Sequence, residues 1–211
     1  MILRVTVTRD PRPAPRKLPQ QERSRALYDA ILVAAAELLE RDGPAFTLAD
    51  VAARAGVGSG SLYQYFPDRA ALIGALIDRQ LAADRAKIDS FLHASDAGPA
   101  SLPELLVAGV LDLYGTRPKA MTNMVVLLRE LGRDTDVAAL VEELCAAVAK
   151  RLERAHPHQS RASCLEAART AVHALLGSVR QAAHDMPERL SGDAAFRARL
   201  VAVARAALTL D

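Results

Sequence analysis

Between Gly56 and Tyr65 the chain reads Gly-Val-Gly-Ser-Gly-Ser-Leu-Tyr-Gln-Tyr, and its polar members are well suited to chemistry outside the protein. Two hydroxyls (Ser59, Ser61), one amide (Gln64) and two phenols (Tyr63, Tyr65) stand around Gly60, where the missing Cβ lets another backbone come close. Such groups bond to phosphates and base edges, so the chemistry on offer is non-covalent recognition of DNA. An enzyme-like alternative is a phosphate-binding loop, because glycines alternate ahead of a helix. Its context is wrong. Such loops follow a β-strand and carry a lysine, whereas this stretch follows an amphipathic helix and has none.

Two short helices must position these groups. Thr47 caps the first, whose apolar residues Leu48, Val51, Ala52 and Ala55 recur at i, i+3, i+4 and i+7. Gly56 ends it, and Val57 packs into the corner. The second begins at about Gly58 or Ser59. Its Leu62 and Phe66 point inward, leaving Gly60, Ser61, Tyr63, Gln64 and Tyr65 largely outside. Pro67 drives the preceding residue out of the α region, and Asp68 caps the next helix. The pattern predicts a helix-turn-helix.

These residues resemble the TetR family of bacterial transcription regulators. Ile31 to Leu39 followed by Gly43 is similar to that family's first helix, and Thr47 to Leu72 to its second, third and the opening of its fourth. The resemblance covers roughly the first third of the chain. It implies that the third helix enters the major groove, while the remaining helices bind a small molecule and dimerise. By position it implies DNA contacts at Thr47, Ser59, Gly60, Ser61, Tyr63, Gln64, Tyr65 and Arg69. There are departures. Gly58 stands where the family usually has a capping Ser or Thr, and Ser59 where a longer polar side chain often reads a base. Ala49 has nothing to offer a base, and Arg69 replaces the usual lysine while keeping its charge.

Composition excludes other classes. The chain has 211 residues, 51% of them hydrophobic and 25% charged, which suits an ordinary folded chain rather than a disordered one. Its two cysteines, Cys145 and Cys164, lie in helical apolar patterns and support neither a disulfide framework nor a zinc ribbon. The five histidines lack metal-ligand spacing, and no GxSxG elbow, HExxH or paired-carboxylate signature occurs. Neither an enzyme, a metal nor a cofactor is expected. With no membrane-spanning run and no signal-peptide h-region, the expected location is the cytoplasm.

The net charge of +2 is unevenly spread. Residues 1–25 hold seven basic groups against Asp10 and Glu22, so that segment is +5 and the remainder −3. Prolines at 11, 13, 15 and 19 make residues 1–20 an extended basic arm, which either tracks phosphates beside the main site or is a solvated tail. Residues 21–68 then form the helix-turn-helix domain and 69–211 a ligand-binding and dimerisation domain. A first helix is predicted from about Gln21 to Arg41, with Phe46 sealing a small core against Leu39, Leu62 and Phe66. A long connecting helix follows at Arg69–His93, and a loop at Ala94–Pro103. Further helices are predicted at about 103–114, 118–132, 136–155, 160–186 and 193–208. No strand pattern intervenes, so the class is all-α with about nine helices.

Two apolar sets in the body suggest function. Leu165, Val172, Leu175 and Val179, with Phe196, Leu200 and Val203, make stripes that read either as a homodimer interface, as the resemblance implies, or as an ordinary core face. Leu111, Tyr114, Met121, Met124, Val125, Leu128 and Cys145 read as a ligand cavity or as plain core. The expected function is a DNA-binding regulator, in particular a repressor released from double-stranded operator DNA by a small-molecule effector. The alternative is an all-α interaction module that kept the fold without operator binding.

Overall fold

In the computed structural model, residues 22–93, 102–115 and 117–210 are described, together with Pro15. Apart from Pro15, the arm expected at residues 1–20 lies outside them, as does most of the loop expected at 94–103. The described residues form nine α-helices and no strand. They are α1 (Glu22–Asp42), α2 (Leu48–Ala55), α3 (Ser59–Tyr65), α4 (Arg69–His93) and α5 (Leu102–Tyr114), then α6 (Pro118–Glu130), α7 (Asp134–Ala155), α8 (Arg161–Asp185) and α9 (Ala194–Ala207). A 3₁₀ turn at Pro187–Leu190, not anticipated from the sequence, joins the last two.

Local chemistry explains the boundaries. Thr47 and Asp50 form a reciprocal capping box at the start of α2. Asp68 Oδ1 accepts the Ala71 amide at 2.8 Å to start α4, and Ser160 and Asp193 cap α8 and α9 through Ser163 and Phe196. Gly132 closes α6 with φ +61°, a left-handed conformation that suits glycine.

Two apolar cores stack along the chain. The head core joins α1, α2 and α3 to Leu72, Ile73, Leu76 and Ile77 at the start of α4, and includes Ala120, Met124, Leu127 and Leu128 of α6. Phe46 lies in it with Leu39, Leu62 and Phe66, as the sequence predicts. The body core is built by α5, α7, α8 and α9 with Ile88 and Phe91 from the far end of α4. Helices α4 and α6 therefore connect the head to the body.

Polar ties reinforce this joint. The Ala120 amide, one of the orphan donors of the first turn of α6, bonds Glu40 Oε2 of α1 at 2.5 Å. Asn123 Nδ2 bonds the Leu39 carbonyl at 2.9 Å, and Arg117 pairs with Glu37 at 3.6 Å. Arg69 donates to the carbonyls of Pro44 and Phe46, pairs with Glu130 and covers the Phe46 ring at 5.4 Å. At the other end of α6, buried Arg133 bonds Asp136 (2.7 Å), Asp78 (2.6 Å) and the Gly74 carbonyl (3.3 Å).

Two expectations for stability follow. Arg69→Ala breaks bonds to two carbonyls and a carboxylate, and should destabilise the head by about 2 kcal/mol in urea unfolding. Asp84 of α4 is 4% exposed, and burial pushes its carboxyl up to about 6, against a hydrogen bond from Gln80 that works the other way. A folded-state value above the unfolded one means that the favourable contribution is complete below about pH 4 and lost as pH rises through about 6. Asp84→Asn should therefore raise stability by on the order of 2 to 3 kcal/mol at pH 8, with the gain closing near pH 4.

Candidate nucleic-acid interface and ligand cavity

The corner between α2 and α3 is a sharp backbone turn. Gly56 adopts φ +67°, and the Val57 amide returns to the Ala52 carbonyl at 3.0 Å. Gly58 occupies the cap of α3 with no side chain to offer, so its carbonyl alone receives the amides of Ser61 (2.9 Å) and Leu62 (3.2 Å). A helix of seven residues is too short to persist alone, so Leu62, Tyr65 and Phe66 anchor it by burial.

The outward face of α3 carries Ser59, Gly60, Tyr63 and Gln64, with Ser61 half-buried beside them. Tyr63 is 49% exposed, high for an aromatic side chain. A Cβ at Gly60 would meet nothing within 4 Å, so internal packing gives no reason for glycine there.

Two of the resemblance-implied contacts, Tyr65 and Arg69, are turned inward, and a third, Thr47, is engaged in a cap. Tyr65, expected outside, is 7% exposed and stacks edge-on against Tyr28 of α1, with ring centroids 5.9 Å apart. The inward stripe of α3 spans i, i+3 and i+4 from Leu62, and the wider stripe includes Tyr65. Arg69 is turned inward onto the 44–46 loop and Glu130, as described above. Thr47 is exposed, but its hydroxyl and amide both donate to Asp50 Oδ2, at 2.6 and 2.8 Å. Those bonds, the side-chain one first, hold the Asp50 carboxyl below its usual range.

A cavity of about 390 Å³ lies in the body between α4, α5, α6, α7 and α8. Of the residues expected around a ligand, Tyr114, Met121, Met124, Val125 and Leu128 line this cavity. Two expected members do not. Leu111 faces a separate recess beside Leu190 and Phe196, and Cys145 is wholly enclosed in the body core, its thiol pushed up to about 11 by burial. The sequence reading missed Asp84 and Gln80, which line the cavity from α4. The available signal was that Gln80 and Asp84, at i and i+4, fall on the stripe of α4 that also holds Ile77, Leu81 and Ile88.

The expected interface residues also divide. Val172, Leu175 and Val179 are 0% exposed and Leu200 3%, all inside the core of one chain. Helix α8 is flanked by α5, α7 and α9, which take up its apolar stripe internally. Leu165 and Phe196 are half-buried, with the Arg189 guanidinium 5.0 Å from the Phe196 ring, and Val203 is 41% exposed. The outward surfaces of the two helices mix small residues, Ala162, Thr170 and Ser178 on α8 and Ala195, Ala198, Ala202 and Ala206 around Val203 on α9, with charged ones such as Glu166, Arg180, Arg197 and Arg205.

Among the described residues no helix is long and apolar enough to cross a membrane, and no cluster of three His, Cys, Asp or Glu side chains is suited to a metal ion.

No curated protein matches the chain by sequence. Residues 31–76 match the family model of bacterial regulatory proteins, tetR family. Among solved structures, a putative TetR-family transcriptional regulator from Rhodococcus sp. is 22% identical, over 87% of this chain and 100% of that one, with a TM-score of 0.64. NalD, the secondary repressor of the MexAB-OprM multidrug efflux pump in Pseudomonas aeruginosa, is 22% identical over 87% and 96%, with a TM-score of 0.62. SmeT, the repressor of the Stenotrophomonas maltophilia multidrug efflux pump SmeDEF, is 20% identical over 89% of each chain, with a TM-score of 0.59. Residues 31–76 are thus a domain of the tetR family of bacterial regulatory proteins, and the chain as a whole has the fold of solved regulators of that family.

Proposed function

We propose that this protein is a cytoplasmic, dimeric transcriptional repressor that leaves its operator DNA when a small molecule fills the body cavity. The observation that carries the reading is the allocation of side chains on α3: its apolar anchors are buried, while Ser59, Gly60, Tyr63 and Gln64 face outward with no internal task. A helix interior disfavours glycine by about 1 kcal/mol, and the open space at Gly60 is what an approaching DNA backbone needs. Two structural relatives are named as repressors, which supports the sign of regulation.

Release needs a route from cavity to head. The sequence points to α4, which runs through both cores. Helix α6 is a second and more direct route, because Met124 and Leu128 line the cavity while Leu127 and the Asn123 amide are seated against the head. A ligand that displaces α6 favours the arrangement that does not bind DNA, and operator DNA must weaken ligand binding by the same factor.

Pairing of two heads is assigned to the outward faces of α8 and α9, whose small residues allow close approach of a second copy. Ala198→Glu with Ala202→Glu should give a monomer of unchanged helicity and thermal stability with reduced operator affinity, as read by sedimentation and DNA retention. A double variant that stayed dimeric would move the interface. In gel-shift titrations on a footprinted operator, Gln64→Ala should cost about 1 to 3 kcal/mol, confined to one base position, whereas Tyr63→Phe should weaken all sequences alike. Footprinting that finds no protected site in the DNA around this protein's own gene, together with retention that is equal on all sequences, would favour the alternative of an interaction module.

A further inference from the structure

The walls of the cavity are mostly apolar, supplied by side chains such as Ile77, Leu81, Ile88, Met121, Val141 and Leu176. Among the described residues, Asp84 is the one charged side chain lining it that is buried, at 4% exposure. Its Oδ1 accepts a hydrogen bond from Gln80 Nε2 at 2.9 Å, a neutral partner, and no described ion pair includes it. Lys87, on the same helix, is held by Asp112 through its carboxylate at 3.0 Å and its carbonyl at 2.6 Å. The other described charged groups of the cavity, and His173, stand at its exposed rim. Glu142 pairs with Arg169 at 2.9 Å, the His173 ring meets the Arg169 carbonyl at 2.8 Å, and Arg180 is exposed. Tyr114, from α5, adds a buried aromatic wall whose hydroxyl stays neutral, burial having pushed it up to about 12.

A carboxylate in such a place is held against its solvation preference. Its ionised form is costly beside apolar walls unless something of opposite charge meets it. We propose that the effector of this cavity is a compact aromatic or aliphatic organic cation, with Asp84 as its counter-ion and Tyr114 as a wall against which the charge rests. The proposal rests on the reading that this cavity is the effector site, and it names the class of effector. The size agrees, since 390 Å³ is in the range that holds a small-molecule ligand. Attraction at Asp84 acts in a poorly hydrated interior, where it is screened less than any interaction at the solvated rim. An aromatic face adds to it. An anion would meet repulsion at Asp84, and the rim Arg180 would hold it only through water-screened charge. A smaller basic recess of about 170 Å³ adjoins the cavity, lined by Arg79, Lys87 and Arg117. Lys87 and Arg117 are already paired there, with Asp112 and Glu37.

Three three-ring probes of similar size test the charge: 10-methylacridinium, acridine at pH 8, where it is neutral, and 9-anthracenecarboxylate. Dissociation constants are measured by fluorescence or calorimetry on the full-length protein and on Asp84→Asn, with thermal melts confirming that both are folded. Wild type should prefer the cation to the neutral ring by about thirty-fold or more, the low end for losing one partner of a buried charge pair. Asp84→Asn should lose that preference while binding acridine within about twofold of wild type. The cation's affinity should fall in wild type as pH drops below about 6, where Asp84 takes up a proton, and stay flat in the variant. Arg180→Ala, which removes a like charge at the rim, should tighten cation binding, and supplies a second variant should Asp84→Asn fail to fold. Equal binding of cation and neutral ring, or preference for the carboxylate, overturns the proposal and leaves the cavity as an effector site. Binding of none of the three overturns the assignment and also counts against the cavity as that site.

Discussion

The joint between head and body is made by α4, which runs through both cores, and by α6, whose seat on α1 the rest of the joint depends on. Helix α6 buries Leu127 in the head core, seats its first-turn amide on Glu40 of α1, and places Met124 and Leu128 beside the body cavity. A helix N-terminus has amides with no partner of their own, and a carboxylate on a neighbouring helix satisfies one while favouring the dipole. The contact therefore fixes both the tilt and the register of α6 against α1. Because packed interiors respond to volume, the proposed release by a ligand would run from the cavity to the head through this contact.

The buried charges fall into two kinds. Arg133 is surrounded by acceptors: two carboxylates and a backbone carbonyl from α4 and the start of α7 take its donors. That arrangement compensates desolvation and locks the turn between α6 and α7 onto α4. Asp84, further along α4, accepts one described hydrogen bond, from the Gln80 amide, feels the charge of Lys87 only at a distance, and sits at a cavity wall. The same physics that makes Arg133 a structural tie makes Asp84 a group in want of a partner.

In the head, the proposed recognition face and the packing that supports it are divided over very few residues. The seven residues of α3 supply Leu62 and Tyr65 to the core, Phe66 follows at its end, and the remaining polar side chains are left for the outside. Tyr28 of α1 holds both Tyr65 and Phe66, with centroids 5.9 and 5.1 Å away, so the orientation of the exposed face is set by an aromatic cluster beneath it. Arg69 has a similar role, tying the loop before α2 to α4 and α6.

Helix boundaries were legible in the sequence, because they are set by neighbours within a few residues. Thr47 with Asp50, Gly56, Pro67 and Asp68 each act on amides and carbonyls one turn away, and the expected elements coincide with the observed ones to within a residue or two. The all-α class and the helix-turn-helix followed from the same rules. Partner choice did not. Periodicity says that the stripe through Val172, Leu175 and Val179 meets another helix, and only packing decided that α5, α7 and α9 of the same chain cover it. Likewise the i, i+4 stripe of Leu62 and Phe66 left Tyr65 outside and the resemblance implied a DNA contact at Arg69, yet their neighbours turn both inward. Cys145 and Leu111 looked like cavity residues beside Met121 and Met124, whereas Asp84 was passed over as an ordinary polar position. Which side of a helix faces a void depends on how five helices meet, and that is a property of the assembled chain rather than of any local stretch.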